Sequence, residues 1–321
     1  MATLTSVLLT NPFAADVAEG LTKPGQKELP SKYLYDRIGS RLFDVITALP
    51  EYGLTRAEER ILSRNARDMV ARLPASAVVA ELGSGSGHKA RWILEALGRR
   101  RPTAYYPIEI SRTALTMCEQ GLADIDSITV VGLEREYVDG LLEVAARRKS
   151  GQAIVVLFLG STLGNLEGPA APRFLAELRR ILEPGDALLL GTDLEKPVPV
   201  LMAAYDDPLG VTAAFNLNLL ARINRELGAD FVLSQFAHAP RFNASTGSIE
   251  MHIRSRRAQR VRVPRAEIEV EFGDGETIWT ESCHKFSLAE VGAIAERSGF
   301  RYDAHWIDES WGFADNLLIA A

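Results

Sequence analysis

AVVAELGSGSGHKARWIL, residues 77–94, passes from an apolar run through three alternating glycines into a segment with helical periodicity. Ala77–Leu82 predicts a short buried strand, and Gly83, Gly85 and Gly87 fall where the chain must turn from strand into helix. Glycines there let the backbone approach a ligand closely, and the following helix N-terminus offers unpaired N–H groups, so this is a nucleotide-type loop. A dinucleotide fingerprint needs glycine at position 88, which is His88, and no triphosphate-type G-x-x-x-x-G-K-[ST] occurs here; both of those sites are disfavoured. Farther on, Glu109 ends the next candidate strand, where a carboxylate can accept two hydrogen bonds from ribose hydroxyls. Taken singly, each element also reads as a tight turn or a surface acid; the pair points to a nucleotide.

Outward from this loop the rhythm is regular from Thr55 to about Lys196. Residues 57–73 predict an amphipathic helix with Ile61, Leu62, Ala66, Met69, Val70 and Leu73 on one face. Strands are expected at 103–109, 128–132, 153–159 and 187–191, separated by helices at 88–98, 111–122, 136–148 and 169–182. Mostly apolar strands alternating with helices imply a parallel sheet covered on both faces. After Pro197 the pattern breaks: 197–228 predicts helix, and 231–238, 248–256, 260–263, 266–272 and 277–286 predict strands, an α+β insertion. Ser287 to Glu290 reads as a capping box opening a helix to about Ser298, with closing strands at 300–307 and 315–321. The N-terminal 50 or so residues fit neither half by periodicity.

At 321 residues the chain has room for about two domains. A composition of 47% hydrophobic and 24% charged residues excludes collagen-like or disordered chains. With 36 Lys plus Arg against 42 Asp plus Glu, the formal charge of −6 provides no global positive field, which disfavours nucleic acid as a partner. The denser basic stretch Arg254, Arg256, Arg257, Arg260 and Arg262 suits the exposed face of strands. Two distant cysteines, Cys118 and Cys283, cannot build a disulfide framework or a four-thiolate metal site, and a reducing cytoplasm is the expected setting. No basic segment followed by a long apolar core opens the sequence and no window approaches a membrane span, so no membrane partner is expected. The five histidines show no metal-ligand spacing, so no metal is expected.

The form E-L-G-S-G-S-G resembles the first motif of class I S-adenosylmethionine-dependent methyltransferases. FLGSTLGNL (158–166) then closes a strand with a Gly, Ser, Thr and Asn cluster. With LPSKYLYDRIGSRLFDVITALPEYGLTRAE (29–58), EPGDALLLGTDLEK (183–196), AYDDPLGVTAAFNLNLL (204–220) and IEM (249–251), it resembles the L-histidine Nα-methyltransferases of ergothioneine biosynthesis, from about Phe13 to the C-terminus. The resemblance implies an α/β fold: a Rossmann-like class I methyltransferase core with a second, α+β substrate-binding domain. The expected division is a discontinuous substrate-binding domain of residues 1–56 and 197–285, and a cofactor-binding domain of 57–196 and 286–321. The implied activity is three successive methylations of the histidine α-amine, giving hercynine and three molecules of S-adenosylhomocysteine. A small amino acid is then the partner, and a monomer is the expectation.

The same resemblance implies roles residue by residue. Tyr35, in KYLYD, corresponds to the catalytic tyrosine beside the reacting amine, and Tyr52, in LPEYG, to one near the imidazole. Asn165 and Tyr205 correspond to carboxylate contacts, Glu281 to the acidic imidazole contact, and Met251 to an apolar wall. Phe43, Thr162 and Thr212 are secondary pocket residues. The implied cofactor set is Glu81, Gly83, Ser84, Gly85, Lys89, Glu109, Glu134 and Gly160, with Glu81 near the cofactor's amino group and Glu134 toward the adenine. The chain departs from the family at Glu281-Ser-Cys-His-Lys-Phe286, where the second imidazole partner is Cys283 in a gap-free reading, or else Ser282 or His284. Glu109 and Leu133-Glu134 likewise replace an aspartate and an Asp-Phe. Two alternatives follow: the same reaction on tryptophan, another amino acid or a small amine, and a nonenzymatic cofactor-binding regulator.

Overall fold

The computed structural model describes residues 11–166, 168 and 170–321. Residues 1–10 of the expected substrate-binding segment, and the helix start expected at 169, lie outside the described residues. The first part of the chain holds α1 (Pro12–Thr22), the short strand β1 (Lys27–Glu28) and α2 (Arg37–Ala48). There follow α3 (Leu54–Arg72), β2 (Ala77–Leu82), α4 (Ala90–Gly98), β3 (Thr103–Ile108), α5 (Arg112–Gly121) and β4 (Ile128–Val130). The alternation continues through α6 (Tyr137–Ala146), β5 (Ala153–Phe158), α7 (Ala170–Ile181) and β6 (Ala187–Asp193). It then changes to α8 (Val198–Tyr205), α9 (Val211–Leu227), β7 (Phe236–Asn243), β8 (Ser248–Ser255), β9 (Gln259–Val263), β10 (Ile268–Phe272) and β11 (Thr277–His284). Helix α10 (Leu288–Arg297) and strands β12 (Phe300–Asp308) and β13 (Phe313–Ala320) close the chain.

Two compact units result. One combines the chain up to Tyr52 with Pro197–Cys283; the other combines Gly53–Lys196 with His284–Ala321. The seams fall a few residues from positions 56 and 285. Gly53 caps α3, so the whole of that helix belongs to the second unit. His284 to Phe286 are drawn there by backbone bonds from Phe286 to Asp193 (2.9 Å) and from Glu195 to Phe286 (3.0 Å).

The second unit is built on a seven-stranded sheet in the order β12-β13-β6-β5-β2-β3-β4. Strands β2 to β6 run parallel, and β13 lies antiparallel between β6 and β12. Every residue of β2 is buried, which is why AVVAEL is apolar almost throughout rather than alternating. β4 is shorter than expected, although Leu133 still bridges to Ile108. Ser287 caps α10 by accepting a hydrogen bond from Glu290 N at 3.2 Å.

In the first unit a four-stranded sheet has the order β1-β11-β8-β7, and β9 and β10 form a separate antiparallel ribbon. Two residues of β1 pair in parallel with Ile278 and Trp279 of β11. A strand that short leaves no periodic trace, so pattern alone could not place this segment.

Two further elements differ from expectation. The strand expected at 231–238 begins at Phe236, because Phe231 is fixed by the Asn224 side chain: its N–H donates to Oδ1 (2.9 Å) and its carbonyl accepts from Nδ2 (2.7 Å). The amide of Asn224 thus does the work of a neighbouring strand while Phe231 packs against Phe236 and Phe272. The helix expected over 197–228 is two helices, since Pro208 cannot continue α8 and Gly210 turns left-handed at φ +71°. Asp207 restarts the chain as α9, accepting from Val211 N (3.0 Å) and Thr212 N (2.7 Å).

The five arginines from Arg254 to Arg262 are all exposed, and Arg260 pairs with Glu269 (2.9 Å) and with Glu271 across the ribbon. No helix among the described residues is long and apolar enough to cross a membrane.

Burial raises the Asp207 carboxyl, but the two amides it caps outweigh that and hold it below its ordinary value. Its contribution is present above the unfolded carboxylate range and is lost as pH falls through the folded value. Asp207→Ala should therefore cost about 1 kcal/mol of stability near neutral pH. In urea denaturation the deficit should shrink on acidification; a deficit independent of pH would contradict this account of the cap.

Candidate active site

In the second unit, the parallel register sets the exits of three strands side by side. Leu82 pairs with Ile108, and Glu81 with Leu157, so the loops leaving β2, β3 and β5 emerge at one sheet edge. Gly85 adopts φ +52° with open space where a Cβ would stand. Its N–H donates to Glu109 Oε2 at 3.3 Å, and the N–H of Ser111 donates to Oε1 at 3.1 Å. A carboxylate has about four acceptor positions, so Glu109 keeps capacity for vicinal hydroxyls. At the β5 exit Gly160 has φ +75°, and a Cβ there would stand 3.1 Å from Lys89 Nζ. A glycine cradle, a ribose-type acid and a second glycine turn at one edge fit S-adenosylmethionine.

Other residues expected on this side have definite partners. Glu81 is buried and accepts the Tyr105 hydroxyl. Burial pushes its carboxyl up to about 7, although the Tyr105 bond and the Lys89 charge oppose the rise. Cys118 lies 3.8 Å from the Tyr105 hydroxyl, and burial pushes its thiol up to about 12, so it is not a thiolate nucleophile. Ser84 is buried in the loop. Glu134 faces outward to Arg112 at 3.2 Å, both side chains being exposed. Ser161, the non-glycine residue at φ +58°, accepts from Asp193 N through Oγ at 2.9 Å. It opens the turn Thr162–Asn165, where Thr162 donates to Leu159 O (3.0 Å) and Asn165 is half-buried.

In the first unit five rings form one connected cluster. Tyr35 lies edge-on to Phe43 and to Phe215, each 5.4 Å away; Phe43 meets Tyr52 at 6.3 Å, and Tyr52 meets Tyr205 at 6.3 Å. Tyr35 Oη stands 3.5 Å from Glu281 Oε1, at the outer limit of hydrogen bonding. On β11 side chains alternate, so Cys283 shares the face of Glu281 while Ser282 points to the other. His284, in the second unit, turns Nε2 to Glu290 Oε1 at 2.9 Å. Met251 is buried on β8, and Thr212 is buried at the start of α9.

Several residues of this unit escaped the sequence reading. Phe215 joins Tyr35 and Phe43 from α9. Asp36 caps α2 through Ile38 N and Gly39 N and accepts from Asn218 Nδ2 at 2.8 Å, tying the residue after Tyr35 to α9. His238 Nε2 meets the Tyr205 carbonyl at 2.8 Å, so that nitrogen carries the proton; Nδ1 then accepts from Asn216 Nδ2 at 2.9 Å. Asn216 Oδ1 accepts from Thr280 Oγ1 at 2.7 Å, which completes the chain. Burial holds the His238 pKa below its ordinary value despite the Tyr205 carbonyl. The carbonyl of Tyr205 is thus fixed by a neutral imidazole. The signal available in sequence was polar residues, Asn216 and His238, at positions facing a core.

The sheet order, the antiparallel seventh strand and the glycine loop with its acid define a class I S-adenosylmethionine-dependent methyltransferase. A family model described as a histidine-specific, SAM-dependent methyltransferase matches residues 13–320. The chain belongs to that family. It is 40% identical to a histidine N-alpha-methyltransferase of Mycolicibacterium smegmatis, over 95% of this chain and 94% of the relative. It is also 40% identical to the protein of that name from Mycobacterium tuberculosis, over 94% and 93%. An L-tryptophan methyltransferase of Psilocybe serbica is 28% identical over 95% of this chain and 92% of the relative.

Glu81 titrates higher in the fold than in the unfolded chain, so the stability it contributes is present below its ordinary value of 4.5 and is lost as pH rises through about 7. Glu81→Gln keeps an acceptor for Tyr105 without the charge. Its stability relative to the parent should improve by about 1–3 kcal/mol between pH 5 and pH 8 in cofactor-free denaturation experiments. A difference that does not change with pH would contradict the raised value.

Proposed function

We propose that this enzyme transfers three methyl groups in succession from S-adenosylmethionine to the α-amine of L-histidine, giving hercynine for ergothioneine biosynthesis. The cytoplasm is the proposed setting. Family membership supports the reaction, and the observation that carries the acceptor is the 3.5 Å separation of Tyr35 Oη and Glu281 Oε1 inside the ring cluster. One small amino acid can touch both groups, its amine at the phenol and its side-chain N–H at the carboxylate.

The cofactor supplies a methyl group on a sulfonium leaving group. The acceptor nitrogen must be neutral, with its lone pair aimed at that methyl, and positioning of this kind is worth about 7–11 kcal/mol in well-aligned systems. Tyr35 accepts from the amine N–H, orients the lone pair and passes the released proton toward water. As N–H groups are replaced by methyls, the nitrogen stops donating, and the faces of Tyr35 and Phe43 suit the growing cation. Phe215 and the Asp36 cap hold Tyr35 against α9. Glu281 accepts a ring N–H and favours the protonated imidazole. Cys283, on the same strand face, is the second imidazole partner.

A second reading keeps the reaction and changes the acceptor to tryptophan. An indole N–H also satisfies Glu281, and a thiol at position 283 is a weak hydrogen-bonding group for an imidazole.

Tyr35→Phe should lower kcat for histidine roughly 100–10,000-fold, the range of a positioned acid–base group, with a smaller change in KM. Glu281→Ala should raise KM for histidine about tenfold or more while sparing an apolar-ring amino acid. Steady-state kinetics on both acceptors decide. Unchanged turnover in Tyr35→Phe, or equal losses on both acceptors in Glu281→Ala, would contradict these roles.

A further inference from the structure

Glu58 closes the segment 29–58 and was given no role in the sequence, yet its carboxylate is completely buried in the second unit. It sits on α3, away from both cofactor-side loops in sequence, and joins them in space. Oε2 accepts from Lys89 Nζ at 2.5 Å, and Lys89 lies immediately before α4 at the end of the glycine loop. Oε1 accepts from the backbone N–H of Gly160 at 2.7 Å, at the exit of β5. A third strand makes room for it: a Cβ on Gly191 of β6 would stand 2.3 Å from Oε1 and 3.2 Å from Gly160 N.

The surroundings are unusually acidic for a core. Asp315, paired with Gly191 across β6 and β13, has no exposed surface, and neither of its carboxylate oxygens has a hydrogen-bond partner among the described residues. Glu81 is the third buried acid here. Lys89 is the cation among them, and its side chain is 25% exposed, so it is screened by the protein on one side and open on the other.

We propose that Glu58 is a positioning residue for the cofactor: it holds the Lys89 ammonium and the Gly160 amide in one arrangement, so that the remaining ammonium hydrogens of Lys89 present to the carboxylate of the methionyl group. The inference rests on the family reading, because it takes S-adenosylmethionine as the ligand of these loops. An ammonium has three donors, and Glu58 takes one. Without the carboxylate, Lys89 would lose its direction and its buried partner, and Gly160 would lose an acceptor for its N–H. The acids Glu81 and Asp315 remain to attract Lys89 in other directions. The arrangement also gives a reason for glycine at 160 and 191, since a side chain at the first would meet Lys89 and at the second would meet Glu58.

Titration calorimetry with S-adenosylmethionine and with S-adenosylhomocysteine provides the test, beside steady-state KM values for both substrates. Glu58→Gln should weaken binding of both cofactor forms by about 10–100-fold, the loss seen when a partner that orients a ligating side chain is removed. It should raise KM for the cofactor accordingly and leave kcat at saturating cofactor and KM for the amino acid within about threefold. A residue that merely stabilised the fold would lower the melting temperature without this split. Lys89→Met should weaken cofactor binding similarly, and Glu58→Gln with Lys89→Met together should bind no worse than Lys89→Met alone, because the two residues act as one unit.

The double variant leaves neither charge buried alone, so it keeps the test open if Glu58→Gln does not fold. Cofactor affinity in folded Glu58→Gln within twofold of the parent, or additive losses in the double variant, would overturn the proposal. Absence of cofactor binding by the parent protein would instead overturn the family reading beneath it.

Discussion

The parallel pairing of β2 with both β3 and β5 is the constraint on which the cofactor side depends. A strand buried on both faces must be apolar, and a strand with parallel neighbours on both edges must send its chain out at the same end as theirs. The glycine loop therefore emerges beside Glu109 and Gly160 whatever the intervening helices do. Once that edge is fixed, the local chemistry is narrow: left-handed turns that only glycine makes easily, amides already bonded to Glu109, and a carboxylate with acceptor capacity left over.

The first unit solves a different problem. It fixes the backbone of Tyr205 with a neutral histidine rather than a charged residue. The His238–Asn216–Thr280 chain satisfies donors and acceptors without introducing charge. A nearby Glu250 shows the contrast: burial raises its carboxyl, but Asn243, His252 and Arg241 outweigh that and bring it down to about 2. Charge at this residue is permitted because several partners meet it.

Legibility in the sequence followed periodicity. Elements with a long, regular pattern, such as β2, α3 and β6, were readable within a few residues because burial on both faces or on one helical stripe leaves a repeating trace. β1 has two residues and was invisible. Phe231 was misread as strand because an asparagine side chain supplies its hydrogen bonds, and side-chain substitutes for a ladder have no period. The aromatic positions Tyr35, Tyr52 and Tyr205 were found through their motifs, and their proximity could not be seen until folding brought distant segments together. Glu58 did leave a signal: it precedes Ile61 and Leu62 by three and four positions, which places a charge on the apolar face of its helix. A charge there needs a partner, and nothing in the linear order indicated that the partners were Lys89 and Gly160.

The most direct test of the account is a competition among acceptors. The purified protein is incubated with S-adenosylmethionine and an equimolar mixture of the twenty amino acids, and products are followed by mass spectrometry for gains of one, two and three methyl groups. Trimethylhistidine should be the dominant product. A dominant methylated product from any other amino acid, or no methylated amino acid while the cofactor still binds, would contradict that.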